Sequence, residues 1–346
     1  MSSLADRVGA LGGRLDVSET PGCGTPVRAR VPPTELGRAT IPSVGKPHLG
    51  LVLHPDRAPG EAAERVVAWA RSHGGEVLAR PHDAARSPSG VEAVPDPEFV
   101  ARADALVSLG GDGTMLGALR LAAASPIPVL GVNLGSLGFL VEIEPHELGD
   151  ALDRLESGRF TIERHSAVVG RLGASEIVAF NDLVLARVPG EGVVQAELEV
   201  DRRRSGRYRC DAIVVSTPLG STAYSYAAGG PVVSPALDAV VVAPVAPMAG
   251  ISRPMVFSGQ EPVTLTMLDG CRAALEVDGT IGGQCPAGTP IDIRLRPDAG
   301  LVVRLDSDLH QRRNQVKLSL LDLPFLPDEI RDITPAERLP AALRAT

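Results

Sequence analysis

The stretch Ala105-Leu106-Val107-Ser108-Leu109-Gly110-Gly111-Asp112-Gly113-Thr114 limits what this chain can fold into more than any other segment. Ala105 to Leu109 is a short apolar run of buried-strand length, and Met115 to Ala124 is Ala/Leu-rich with helical character. The glycine-rich stretch between them is therefore a strand-to-helix turn. Glycines there permit positive φ and a close approach of backbone to ligand. The helix start offers free N–H groups and the positive end of a dipole, which suits phosphate. Asp112 would repel a phosphate, so its place in the turn calls for another reason, and taking a proton from an attacking hydroxyl is one. Taken alone, such a turn is more often a capped bend. The rest of the chain shifts that balance.

Strand and helix signals alternate around this turn. His48 to Leu53 reads as a strand, Gly60 to His73 as a helix with Ala63, Val66, Val67 and Ala70 on one face, and Glu76 to Ala79 as a strand. Residues 81–95 read as a loop. Ile127 to Val132 reads as a further buried strand ending in Asn133-Leu134-Gly135-Ser136-Leu137-Gly138-Phe139-Leu140. This alternation predicts a parallel sheet, Rossmann-like, with ligands at the carboxyl ends of its strands. Both glycine-rich stretches fall at such ends.

Beyond about residue 145 the texture changes. His146 to Gly158 reads as one more helix. Alternating segments then dominate: Thr161 to Val169, Ile177 to Ala186, Val193 to Val200, Arg207 to Val215, Val240 to Val242, Val263 to Met267, Ala273 to Val277, Ile291 to Leu295 and Leu301 to Leu305. Short strands between Gly/Pro turns predict an all-β second domain. The expected organisation is an N-terminal extension over 1–45, an α/β domain over 46–145, a β-rich domain over 146–305 and a tail over 306–346 that packs back on the α/β domain. Within the extension, Leu4 to Leu11 reads as a short helix, and Arg14 to Val17 and Val27 to Val31 as paired strands before a proline-marked linker.

Composition narrows the function classes. The chain has 346 residues, net charge −8 and no long basic run, which argues against general nucleic-acid binding. No stretch approaches the roughly 20 apolar residues of a membrane span, and no signal peptide is visible at the start. Cys23, Cys210, Cys271 and Cys285 lie far apart, so neither a zinc site nor a disulfide framework is expected, and a reducing cytoplasm fits.

Three stretches in the second half carry chemistry. Phe180-Asn181-Asp182 places an amide beside a carboxylate, a pair able to read ribose hydroxyls and an adenine edge. Arg209-Cys210-Asp211 closes a strand, and Asp211 could equally form a surface bridge with Arg209 or Arg207. Ser216 to Ser225, running on to Gly229-Gly230-Pro231, packs hydroxyls, small residues and Tyr224 into a segment that can approach a sugar or base closely.

At these residues the sequence resembles a known family. CDAIVVSTPLGSTAYSYAAGGP, with LGGDGTML, GVNLGSLGFL and FNDLVL upstream, is similar to the NAD kinase family in order and spacing over residues 48–305. The glycine turn alone is shared with diacylglycerol kinases, sphingosine kinases and phosphofructokinases; the Ser-Thr-Ala-Tyr stretch narrows the match. The resemblance implies the NAD kinase/diacylglycerol kinase-like fold. It also implies phosphorylation of the 2′-hydroxyl of the adenosine ribose of NAD, from ATP or polyphosphate. Asp112 would be the general base, with Gly113 beside it at the ribose. Gly110, Gly111, Gly113 and Thr114 would form the donor-phosphate loop. NAD would be held by Phe139, Asn181, Asp182, Arg209, Asp211, Thr222, Ala223, Tyr224, Ser225, Ala227 and Ala246. Mg²⁺ would arrive with the nucleotide, since no side-chain cluster forms a dedicated metal cage. Self-association into a dimer or tetramer is implied by the family alone.

Some positions depart from the pattern. Leu219 stands where the family has Thr, Ala212 where it has Gly, Ala227 where it has Ser, and Met248 where a His precedes Arg253-Pro254. These changes bear on the choice between NAD and NADH. LADRVGALGGRLDVSETPGCGTPVRARVP resembles the closing segment of histidine-kinase ATPase domains, without the upstream residues that hold ATP there, and reads as a fused remnant. That remnant and the lost polar contacts motivate an alternative, a non-catalytic NAD(H)-binding module.

Overall fold

The structure, a computed structural model, describes residues 14–17, 27–30, 46–135 and 138–306. The expected helix at Leu4 to Leu11, the proline-marked linker over residues 32–45 and the tail beyond Asp306 lie outside the described residues. The chain divides into two compact units, residues 1–38 and 39–346. In the first, Arg14–Val17 pairs antiparallel with Val27–Arg30, Val17 facing Val27, as the sequence predicts.

The second unit begins with a parallel sheet in the order Pro128–Asn133, Ala105–Gly110, His48–Leu53, Glu76–Ala79, Val91–Ala93. Its strand Ala105–Gly110, flanked by Pro128–Asn133 and His48–Leu53, is buried along its whole length, which is why it reads as an unbroken apolar run. The helix Gly60–Ser72 buries Ala62, Ala63, Val66, Val67 and Ala70. It shares one core with Leu148, Ala151, Leu152 and Leu155 of the helix Leu148–Glu156. Met115, Leu119 and Ala122 of the helix Asp112–Ala122 pack with Phe99 and Leu106 in a separate core. Residues 81–95 are not simply a loop. Pro81 follows an extended Arg80 and starts the four-residue helix Pro81–Ala84, and Val91–Ala93 adds an edge strand.

The β-rich part places two layers over one core. A six-stranded antiparallel sheet runs Met255–Ser258, Ala239–Val245, Ala212–Ser216, Asp182–Arg187, Ala273–Val277, Thr280–Cys285. Leu183, Leu185, Ile213 and Val215 of this sheet meet Leu198, Tyr208, Leu265 and Ile293 from strands of the other layer. That layer is continuous with the parallel sheet through the 15-residue strand Pro290–Arg304. Its first half pairs antiparallel with Val263–Met267, Leu301 and Val302 pair parallel with Pro128 and Val129, and Thr161–Leu172 runs antiparallel beside it. The sequence suggests two strands here because Pro297 to Gly300 interrupts the apolar pattern; the interruption is an irregularity within one strand, with Asp298 at φ 52°.

Two expected strands are each cut in two. Ile177 to Ala186 breaks at Phe180-Asn181, and Arg207 to Val215 breaks at Asp211, where the chain passes from one layer to the other. Cys210, Cys271 and Cys285 are buried thiols. Among the described residues no helix is long and apolar enough to cross a membrane.

Candidate active site

The turn after Ala105–Gly110 leads directly into the helix Asp112–Ala122, with an extended Gly111 between them (φ −114°, ψ −164°). None of Gly110, Gly111 and Gly113 adopts positive φ. Their value is space. A Cβ on Gly110 would stand 2.1 Å from Thr114 Oγ1, whereas Gly111 and Gly113 border open space and leave the helix start uncovered.

Asp112 is fixed by the second glycine-rich stretch. The Phe139 N–H donates to Oδ2 at 2.7 Å and the Leu140 N–H to Oδ1 at 2.9 Å. One lone-pair site on each oxygen remains for a substrate hydroxyl. Gly138 is required for this approach, since a Cβ there would lie 2.1 Å from Oδ1.

The carbonyl side of the same backbone is held by a residue that no sequence motif marks. Arg304, 3% exposed, donates to Leu140 O at 2.8 Å and to Phe139 O at 3.5 Å. Its charge is met by Glu142 at 3.1 Å and by Glu163. The only sequence signal was an arginine ending the apolar strand Leu301-Val302-Val303. The residues it meets lie more than 140 positions away.

Asp278 likewise lies outside the motifs. It sits in the left-handed region, φ 46°, in the hairpin turn between Ala273–Val277 and Thr280–Cys285. Its side chain is fully buried and pairs with Arg120 at 2.5 Å. It also accepts the N–H groups of Phe180 (3.2 Å), Asn181 (2.7 Å) and Asp182 (3.2 Å). The Asp-Gly pair was its signal, legible as a turn but not as an anchor. Asp182 is 4% exposed. Burial, then the Asp278 carboxylate, push its carboxyl up to about 7, opposed by the Tyr224 backbone N–H.

The hydroxyl-rich segment wraps Asn181. The Thr217 N–H donates to Asn181 O at 3.0 Å, the Thr217 hydroxyl to Phe180 O, and the Gly220 N–H to Thr217 Oγ1 at 3.0 Å. A Cβ on Gly220 would meet Asn181 O at 2.0 Å, so a glycine belongs there. Leu219–Thr222 forms a 3-10 turn and Tyr224–Ala227 a short helix. Ser225 is buried beneath Gly230, with an Oγ lacking any protein partner, while Tyr224 is 39% exposed.

Two concavities flank the Asp112–Phe139 contact. A polar cleft of about 430 Å³ is lined by His54, Arg57, Gly111, Asp112, Gly113, Thr114, Gly135, Gly138, Asp278 and Thr280. A more apolar cavity of about 370 Å³ is lined by Phe139, Leu140, Leu219, Thr222, Val232, Val233, Glu163, His165 and Arg304. His165 is 4% exposed, and burial holds its imidazole below the usual range, hence neutral near pH 7.

Arg209, Asp211 and Ala246 gather where two strands pass between the layers side by side, next to the short helix Tyr224–Ala227, since Ala228 packs with Ala212 and Val245. Met248 N–H donates to Arg209 O, Asp211 N–H donates to Val245 O, and Ala246 has φ 46°. Asp211 pairs with Arg187 at 3.3 Å, while Arg207 pairs with Glu197, so neither bridge considered for Asp211 forms. Ala227 is exposed on its short helix. None of these four residues lines the cleft or the cavity.

Comparison with known proteins agrees with this arrangement. The family model described as ATP-NAD kinase N-terminal domain matches residues 49–160, and that described as ATP-NAD kinase C-terminal domain matches residues 180–304. The NAD kinase of Heliobacterium modesticaldum is 36% identical over 272 residues, 75% of this chain and 94% of that protein. NAD kinase 1 of Streptomyces avermitilis is 32% identical over 316 residues, 80% of this chain and 88% of that protein. Among solved structures, yeast NADH kinase complexed with NADH superposes with a TM-score of 0.73 at 23% identity, covering 81% of this chain and 89% of that one. An NAD kinase from Archaeoglobus fulgidus in complex with ATP superposes with a TM-score of 0.60 at 25% identity, covering 83% of this chain and 100% of that one.

Proposed function

The chain belongs to the NAD kinase family and is an enzyme that phosphorylates NAD to NADP; we propose that Asp112 is its general base and that the acceptor is the 2′-hydroxyl of the adenosine ribose. The observation that supports this reading is the Asp112 carboxylate, fixed by two backbone N–H groups and bordering the cleft beside the glycine turn. In this reading the ribose hydroxyl gives its proton to Asp112 as its oxygen bonds to the donor's terminal phosphorus. The bond from that phosphorus to the bridging oxygen breaks, releasing ADP or a shortened polyphosphate. Gly110, Gly111, Gly113 and Thr114 take the donor phosphates at the helix start.

Asn181 and Asp182 hold the adenosine hydroxyls, kept in place by Asp278. Thr222, Ala223, Tyr224 and Ser225, with Phe139, take the adenine. Asp211, with Arg209 nearby, holds the nicotinamide end or the second ribose, and Ala246 sits beside the adenine pocket. Mg²⁺ belongs to the nucleotide in this account. Asp278 does not suit a resident metal, because it already meets three N–H groups and Arg120.

The reading includes a cytoplasmic enzyme and self-association through the β-rich part, where Met248 and Val256 are exposed, 58% and 51%. Light scattering reads the oligomeric state. The direct test of function offers ATP and polyphosphate separately, with NAD or NADH as acceptor, and measures NADP(H). Formation from at least one pair is expected. Absence from all four overturns the reading.

A further inference from the structure

His54, Pro55 and Arg57, in the segment that follows the strand His48–Leu53, line the same polar cleft as the glycine turn. Two features make it an anion receptor. His54 Nδ1 accepts the N–H groups of Asp56 (3.1 Å) and Arg57 (3.2 Å). A ring nitrogen used as an acceptor carries no proton, so the ring proton sits on Nε2, which is then a donor. The His54 N–H in turn donates to Leu109 O at 3.0 Å, which ties this segment to the strand that carries the glycine turn.

Arg57 is held as firmly. Its Nη1 donates to Leu134 O at 2.6 Å, and its own carbonyl accepts from Arg86 Nη2 at 2.6 Å. A Cβ on Gly135 would lie 2.3 Å from Nη1, so the bend at Gly135 admits the guanidinium. Among the described residues Arg57 forms no ion pair, and its remaining N–H groups are available to an acceptor. In the same cleft the helix start at Gly111–Gly113 is uncovered. Donors from both segments therefore line one polar space.

We propose that His54 and Arg57 bind the phosphate chain of the phosphoryl donor, clamping it against the glycine turn that lines the same cleft. The assignment rests on the phosphotransfer reading above. It names the ligand chemistry as linked phosphates, which ATP and inorganic polyphosphate share.

The test uses Arg57→Ala, Arg57→Lys and His54→Asn in the full chain. Asn keeps an acceptor near the Nδ1 position and removes the Nε2 donor; thermal melting checks that each variant folds. With each donor separately, KM for the donor is expected to rise about tenfold or more in Arg57→Ala and His54→Asn, and less in Arg57→Lys. KM for NAD is expected to stay within about twofold, since both side chains lie on the donor side. A rise with ATP alone, or with polyphosphate alone, identifies the donor the clamp serves. An unchanged donor KM in folded Arg57→Ala, or a rise confined to KM for NAD, overturns the proposal. Binding of inorganic tripolyphosphate, measured by calorimetry without NAD, separates this proposal from the reaction itself. Weaker binding by Arg57→Ala supports the clamp even if no NADP forms, and equal binding by Arg57→Ala and the unaltered chain overturns it.

Discussion

Asp182 carries the least ordinary carboxyl of the site. Burial and the neighbouring Asp278 push it up to about 7, well above the value near 4 that it has in the unfolded chain. Between these values the folded state binds more protons than the unfolded state, so this residue makes stability fall as pH rises. Asp182→Asn removes that proton uptake. The variant is expected to gain melting temperature relative to the unaltered chain at pH 8 compared with pH 5, and a pH-independent difference between the two proteins would contradict the assigned environment. Arg304 is the second residue with a sharp consequence. Replacing it with Met leaves Glu142 and Glu163 without their buried cation and is expected to cost about 3–5 kcal/mol in denaturant unfolding.

At the scale of elements, the site depends on glycines that admit a neighbour. Gly138→Ala puts a Cβ 2.1 Å from an Asp112 oxygen. The carboxylate must move, and a displacement near 1 Å is expected to lower kcat about 10²-fold with little change in melting temperature. Gly220→Ala puts its Cβ against the Asn181 carbonyl, a backbone atom that cannot step aside, and is expected to destabilise by about 1–3 kcal/mol and to raise KM for NAD. Steady-state kinetics with parallel melting curves reads both. The Gly-Gly-Asp-Gly turn was legible in the sequence because its neighbours are local: an apolar strand before it and an apolar helix after it. The breaks at Asn181 and Asp211 were not. Residues on both sides of each break favour strand, and nothing nearby in sequence marks where a chain leaves one sheet for another.

Across the whole molecule, the parallel direction of the first sheet's strands and the β-rich second part follow from the alternation and periodicity of the sequence. Their joining does not. Pro290–Arg304 pairs with strands from both parts, and Arg304 at its end reaches the peptide that grips Asp112. Asp278 likewise meets Arg120 from 158 residues away. Such contacts are set by topology, so the sequence shows the glycine turn, the Asn-Asp pair and the hydroxyl-rich segment but not the two long-range ion pairs beside them. Residues 1–38 form a unit of their own. A chain starting at Lys46 is therefore expected to keep NADP formation within about twofold of the full chain and to melt at a similar temperature; loss of either would give the extension a role.

The most direct measurement replaces Asp112 with Asn and follows NADP formation together with NAD binding by calorimetry. Asn keeps the shape and takes no proton at neutral pH; its one oxygen accepts one of the Phe139 and Leu140 N–H groups, and its amide nitrogen faces the other. Turnover is expected to fall about 10²–10⁴-fold with NAD affinity nearly unchanged. Turnover close to that of the unaltered enzyme would contradict the general-base role.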